Sequence, residues 1–107
     1  QQAEEVDNEA ILALVEKWVA ADATDPVANK MLVSQLLTVK NYDKVIELAE
    51  AVAAMQTDEA EKSEVYYSLG MAHNAKEQKA EAIAALKKVT AGNAVAAAKA
   101  AVAELSK

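Results

Sequence analysis

YYSLGMAH, at residues 66–73, decides the fold of this chain together with AIAALKKV at residues 82–89. The first stretch carries an aromatic residue, a Leu-Gly pair and a histidine at helical spacing. The second carries apolar residues four and three apart, which puts them on one face of a helix. Gly70 and Ala82 are small, and small residues allow two helix backbones to approach closely. The pattern therefore predicts two neighbouring helices packed through small side chains.

The same segment resembles one unit of the tetratricopeptide repeat family. The family pattern has an aromatic residue, Leu-Gly and a second aromatic residue in one helix, and Ala-x-x-x-Phe in the next. Tyr66 and Leu69-Gly70 match the first helix directly. His73 stands at the second aromatic position and Leu86 stands where Phe is usual. The resemblance implies an all-α, right-handed superhelix of paired helices, which holds other proteins in a concave groove.

The composition favours the same fold class. The chain has 107 residues, 53% of them hydrophobic, with two Gly, one Pro and no Phe. Ala, Leu, Glu and Lys, which are common here, are the residues that lose least on entering a helix. The length suits one domain. We therefore expect residues 1–107 to form a single domain of about six antiparallel helices.

Charge and cysteine content exclude several classes of partner and chemistry. The net charge is -6, and phosphate backbones and anionic lipids need clustered basic residues instead. We expect no nucleic-acid partner. The chain has no cysteine, which removes disulfides and thiolate sites. No apolar run approaches the ~18–20 residues that cross a bilayer, so no membrane insertion is expected.

The first residues bear on localisation. The chain begins at Gln1-Gln2 without a methionine, as a mature exported protein does after signal-peptide removal. A trimmed expression product would look the same. We expect an exported protein, periplasmic or secreted, and the alternative is a cytoplasmic one.

Turn residues divide the chain into six predicted helices. Asp25 and Asp58 are expected N-caps, and Gly92 is expected to end the fifth helix in a left-handed conformation. Residues 1–7 are expected to be disordered, and residues 94–107 to form a capping helix. The first predicted helix begins after residue 7 or 8. The other five are predicted to run over about 26–39, 42–55, 59–75, 79–91 and 94–105.

Apolar residues at helical spacing define the faces expected to be buried. The first and third predicted helices of the chain each resemble the second helix of a tetratricopeptide unit. The chain is therefore interpreted as one unpaired helix of that type, followed by two helix pairs and a final capping helix. The second helix lacks Leu-Gly, and its register differs by three residues depending on the end used for alignment. The inward residues are Ile11, Leu14, Val15, Trp18 and Val19; Met31, Leu32, Leu36 and Val39; and Tyr42, Val45, Ile46, Ala49, Val52 and Met55.

The residues give little support to catalysis. His73 is the only histidine, and without cysteine it cannot assemble the usual zinc site of three or four N or S ligands. Ser63 and Ser68 have no other imidazole to activate them as nucleophiles. No Gly-rich phosphate loop is present. We expect a protein that is not an enzyme, with no cofactor, metal or catalytic residue.

A groove is the better candidate site. The resemblance implies that the first helix of each pair lines it. Tyr67 and Met71 would form an apolar contact, and Asn74 would hydrogen-bond a peptide backbone. The alternative is that neighbouring helices cover Tyr67 and Met71. The candidate partner-binding residues are Glu64, Tyr67, Met71 and Asn74 in the fourth helix and Lys30, Ser34 and Thr38 in the second.

These observations predict an adaptor that binds a peptide segment or a helix of another protein. The Lys/Asn/Arg set with which some family members hold a peptide carboxylate is not reproduced, since only Lys30 has a candidate place. Acidic carboxyl-terminal tails are therefore disfavoured as ligands. The alternative is a self-associating structural module, such as a homodimer.

Overall fold

Six helices build the described part of the protein. The computed structural model describes residues 8–107, and the predicted disorder of residues 1–7 lies outside that range. No strand occurs in the described part of the chain, which confirms the all-α class. The helices are α1 (Asn8–Ala21), α2 (Pro26–Thr38), α3 (Tyr42–Met55), α4 (Glu59–Ala75), α5 (Lys79–Leu86) and α6 (Ala94–Leu105).

The helices form an array in which alternate members also meet. Each helix packs against the next one in the chain, α2 also contacts α4, and α4 also contacts α6. Within residues 8–107 the backbone of α3 does not approach that of α1 or α5 closely. The even-numbered helices therefore share one side of the array, and α4 is its central member.

Aspartates start two of the helices, as predicted. The carboxylate of Asp25 accepts hydrogen bonds from the N–H groups of Val27 and Ala28. The carboxylate of Asp58 accepts one from the N–H of Ala60. Each bond satisfies a donor that has no partner inside the first helical turn. These local interactions fix the start of α2 and α4.

The turns from α2 to α3 and from α4 to α5 have the same backbone geometry. Lys40 and Glu77 adopt left-handed φ angles of 66° and 62°. In each turn the following residue, Asn41 or Gln78, donates its N–H to a carbonyl five residues back, at 2.8 and 2.9 Å. Equivalent points of the two pairs therefore lie 37 residues apart. The turns thus give one of the alignments of the two pairs, with a separation longer than the about 34 residues of the tetratricopeptide repeat.

Two connected clusters form the core. Val45, Ala49 and Val52 are buried, which confirms the inward face predicted for α3. The larger cluster contains Val15, Leu32, Val33, Leu36, Val45, Ala49, Val52, Ala53, Val65, Leu69, Ala72 and Ala85, and the smaller one contains Leu86, Val89 and Ala98.

The predicted inward faces of α1 and α2 are partly wrong. Leu14 is 65% exposed and Met31 is 41% exposed, and Trp18 is 39% exposed. The buried face of α1 is centred on Val15 instead, and α2 buries Leu32 and its neighbours. Apolar residues cover more than one face of each helix, so their periodicity alone does not select the buried face.

Helix α5 is shorter than predicted. It ends at Leu86 instead of near residue 91. The hydroxyl oxygen of Ser63 accepts hydrogen bonds from the N–H groups of Thr90 and Ala91, at 3.1 and 3.2 Å, so these groups bond to α4 instead of continuing the helix. Gly92 does adopt a left-handed φ of 84°, but it lies in the turn before α6.

Candidate functional site

The side of the array formed by α2 and α4 carries the candidate residues. We call it the α2–α4 face, and it contains a polar and an apolar depression. The polar one has a volume of about 230 Å³. It is lined by Lys30, Met31, Val33 and Ser34 of α2 and by Glu64, Val65 and Ser68 of α4.

An ion-pair network crosses the polar depression. The ammonium of Lys30 lies 2.7 Å from Glu64 Oε1 and 3.1 Å from Glu61 Oε1. Partial desolvation opposes the charge on Lys30, but the hydrogen bonds and attraction of both carboxylates raise its pKa above 10.5. Lys30 is therefore a paired cation that joins α2 to α4, and the three groups together carry a negative charge.

The apolar depression has a volume of about 340 Å³ and lies between the end of α2 and the end of α4. Tyr67 and Met71 are half-buried, so neighbouring helices cover them only in part. Tyr67 also packs against the smaller core cluster, which holds its ring in place from one side. The depression is lined by Leu37, Tyr42, Tyr67, Met71, Asn74 and Ala75.

Six of the seven predicted residues thus line the two depressions, and Thr38 does not. Thr38 is exposed, and its hydroxyl donates to the carbonyl oxygen of Ser34 at 3.1 Å. With a separation of 37 residues, Leu37 is the α2 counterpart of Asn74. Sequence reasoning missed Leu37 because the turn register that identifies it was ambiguous.

Sequence reasoning also missed residues that extend the face. Met31 lines the polar depression, and Val27, one turn earlier, lines a further hollow of about 210 Å³ beside Glu61. Val27 is 49% exposed. The available signal in the sequence was the spacing of Val27 and Met31, which lie four residues apart on one face of α2. These two apolar residues come in addition to those that form the buried face of the helix. These side chains lengthen the α2–α4 face toward the start of α4.

His73 closes a turn. Its Nδ1 lies within hydrogen-bonding distance of Gln78 Oε1, at 2.8 Å. The bond links the end of α4 to the start of α5. Among the described residues, no three His, Asp or Glu side chains are grouped so that they could hold a metal ion.

The described helices define an all-α protein. None of them, across residues 8–107, has the length and apolar character needed to span a membrane. Comparisons of the chain with models of known families, with curated proteins and with solved structures found no match.

Proposed function

We propose that the protein is a tetratricopeptide-like adaptor that holds a peptide segment or a helix of another protein on the α2–α4 face. The contacts among alternate helices and the two matching turns support a repeat array. The observation that carries the function is the apolar depression, which Tyr67 and Met71 line together with Asn74.

The chemistry of the face defines the partner. An apolar side chain would enter the apolar depression, and Asn74 can both donate to and accept from a peptide group. Next to it, Glu61 and Glu64 already hold Lys30 and leave an excess of negative charge. The partner segment therefore combines an apolar anchor with neutral or basic residues, and acidic tails are disfavoured by repulsion. The role requires no catalytic residue or cofactor.

Capture from an extract of the source organism tests the proposal. The bait proteins are the wild type, Met71→Asp, which places a charge in the apolar depression, and the matched control Leu14→Asp on exposed α1. We expect a partner that the wild type and Leu14→Asp capture and that folded Met71→Asp loses.

Equal capture by Met71→Asp would overturn the assignment of the face. Helix content and melting temperature of each variant, measured by circular dichroism, separate loss of binding from loss of fold. The alternative function is self-association as a structural module, in which the Ala-rich end or the groove would contact a second copy.

A further inference from the structure

A groove of about 430 Å³ lies between α5 and α6, at the carboxyl-terminal end of the array. Its floor is apolar and its rim carries two lysines. Neither Lys87 nor Lys99 takes part in an ion pair within residues 8–107. The lining residues are Leu86, Lys87, Val89, Thr90, Val95, Lys99 and Val102.

The opposite end of the array presents an apolar helix face. Leu14 and Trp18 lie one turn apart on α1 and are 65% and 39% exposed. Val15, between them in sequence, is buried on the side that faces the core. Helix α1 contacts α2 and no other helix of the described chain. Its outer face is therefore unpartnered within residues 8–107.

The helix contacts along the array show which neighbour each end lacks. Helix α3 contacts α2 and α4, and α5 contacts α4 and α6, so each of these odd-numbered helices has an even-numbered helix on either side. Helix α1 has such a helix on one side only, and no helix follows α6 in the described chain. An α1 helix from a second copy, placed in the groove, would gain α6 as its missing neighbour.

The charges of the ends favour that occupant. Residues 8–25 carry four acidic side chains and one lysine, whereas residues 87–107 carry four lysines and one glutamate. Contact between unlike ends brings opposite charges together. Contact between two α1 helices, or between two grooves, would bring like charges together. The net charges of the two segments, one minus four (-3) and four minus one (+3), therefore favour head-to-tail contact over symmetric contact, although the charged side chain nearest Leu14 on its own helix face is Lys17.

We propose that α1 of one copy docks in the α5–α6 groove of a second copy, with Leu14 and Trp18 against the apolar floor. The contact uses a different surface on each chain, so it produces open chains unless the geometry closes a ring. The α2–α4 face takes no part in it. The inference is therefore independent of the adaptor function.

Sedimentation velocity with mixed variants tests the contact. Protein is examined up to about 1 mM, the dissociation constant of a weak complex. The wild type should exceed the 11.3 kDa of one chain by an amount that rises with concentration and falls with added salt. Leu14→Lys and Val102→Lys should each remain monomeric alone. Their mixture should form a dimer of twice 11.3 kDa, because each keeps one intact surface.

Controls keep the test decisive. Val27→Lys, which alters a comparably exposed apolar residue on another face, should associate as the wild type does. The exposed double variant Lys87→Glu, Lys99→Glu probes the groove without touching its floor, and it should reduce association as Val102→Lys does. A wild type that stays monomeric throughout, or a mixture of folded variants that stays monomeric, would overturn the proposal. Unchanged association of Leu14→Lys would do the same.

Discussion

At the scale of single residues, Gly70 shows how tightly two helices meet. A Cβ atom at this position would lie 2.6 Å from Leu86 Cγ and 3.3 Å from the carbonyl oxygen of Ala82. Leu86 is only 1% exposed, so a side chain at position 70 would push against a residue that is part of the packed core. The close packing inferred from the small residues of the sequence is therefore present, and it depends on the size of Leu86.

The first helix pair solves the same packing problem with the sizes exchanged. The positions 37 residues earlier are Val33 and Ala49, both buried. At these positions of the same core cluster α2 has the larger residue and α3 the smaller one, whereas α4 has Gly70 and α5 has Leu86. The combined volume, and not either residue alone, is what each pair requires.

A double-mutant cycle measures this compensation. Gly70→Val should lower the free energy of unfolding by about 1–3 kcal/mol through overpacking. Leu86→Ala should lower it by about 2–5 kcal/mol through a cavity. Together they recreate the arrangement of the first pair, so the combined loss should be smaller than the sum. Urea unfolding of the four proteins gives the coupling, and additive losses would contradict the compensation.

Ser63 offers a second test at this scale. Its hydroxyl is buried and accepts from two backbone N–H groups, those of Thr90 and Ala91. Ser63→Ala should lower the free energy of unfolding by about 1–3 kcal/mol, because both donors lose their partner. Ser34→Ala, at an exposed position, serves as the control. Equal melting temperatures for Ser63→Ala and the wild type would show that Ser63 does not hold this connection.

At the scale of helices, the sequence predicts the boundaries that depend on local interactions, but not those that depend on residues far apart in the chain. The starts of α2 and α4 depend on Asp25 and Asp58, which act within their own first turn, so the sequence predicts them. The end of α5 depends on Ser63, which is 27 residues away from Thr90. Such a bond leaves no periodic pattern in the sequence.

The candidate site shows the same division. Tyr67, Met71 and Asn74 lie on one helix, and their shared surface follows from helical spacing alone. Whether Leu37 or Thr38 joins them depends on how α2 is aligned with α4. The caps at Asp25 and Asp58 give one alignment and the left-handed turns give another, because α2 has 13 residues and α4 has 17.

The junction of α2 and α4 predicts a dependence on pH. The pKa of Lys30 is raised in the folded protein above 10.5. The stabilisation from this group is therefore fully present below the pKa of the unfolded chain and is lost as pH rises through the folded pKa. Because the pair is partly exposed, the contribution should be below about 1 kcal/mol.

Urea unfolding of the wild type and Lys30→Met between about pH 9 and about pH 12 measures this contribution, since the other titrations affect both proteins alike. The wild type should be the more stable of the two at the lower pH, and the difference should shrink above pH 10.5. Lys17→Met, which removes an exposed lysine without an ion pair in the described chain, should show no such trend. A difference that stays constant across this range would refute the role of the ion pairs.

At the scale of the whole molecule, stability should be graded from the centre to the ends. Helix α4 contacts four other helices, α2, α3, α5 and α6, whereas α1 contacts α2 alone. The only buried side chain of α1 is Val15, and that of α6 is Ala98. Local opening of an end helix therefore exposes much less apolar surface than opening of α4, and it should require less free energy.

Native-state hydrogen exchange should reveal this gradient at a protein concentration where the chain is monomeric. Amides of α4 should exchange only on global unfolding, whereas those of α1 and α6 should exchange at least on the order of tenfold faster through local opening. Val15→Ala should accelerate exchange in α1 further, because it weakens the contact with α2, and should change α4 much less. Equal opening free energies in α1 and α4 would mean that the array unfolds as one unit. In that case the end helices would be fully coupled to the rest of the monomer, and they would not depend on a second copy to complete their packing.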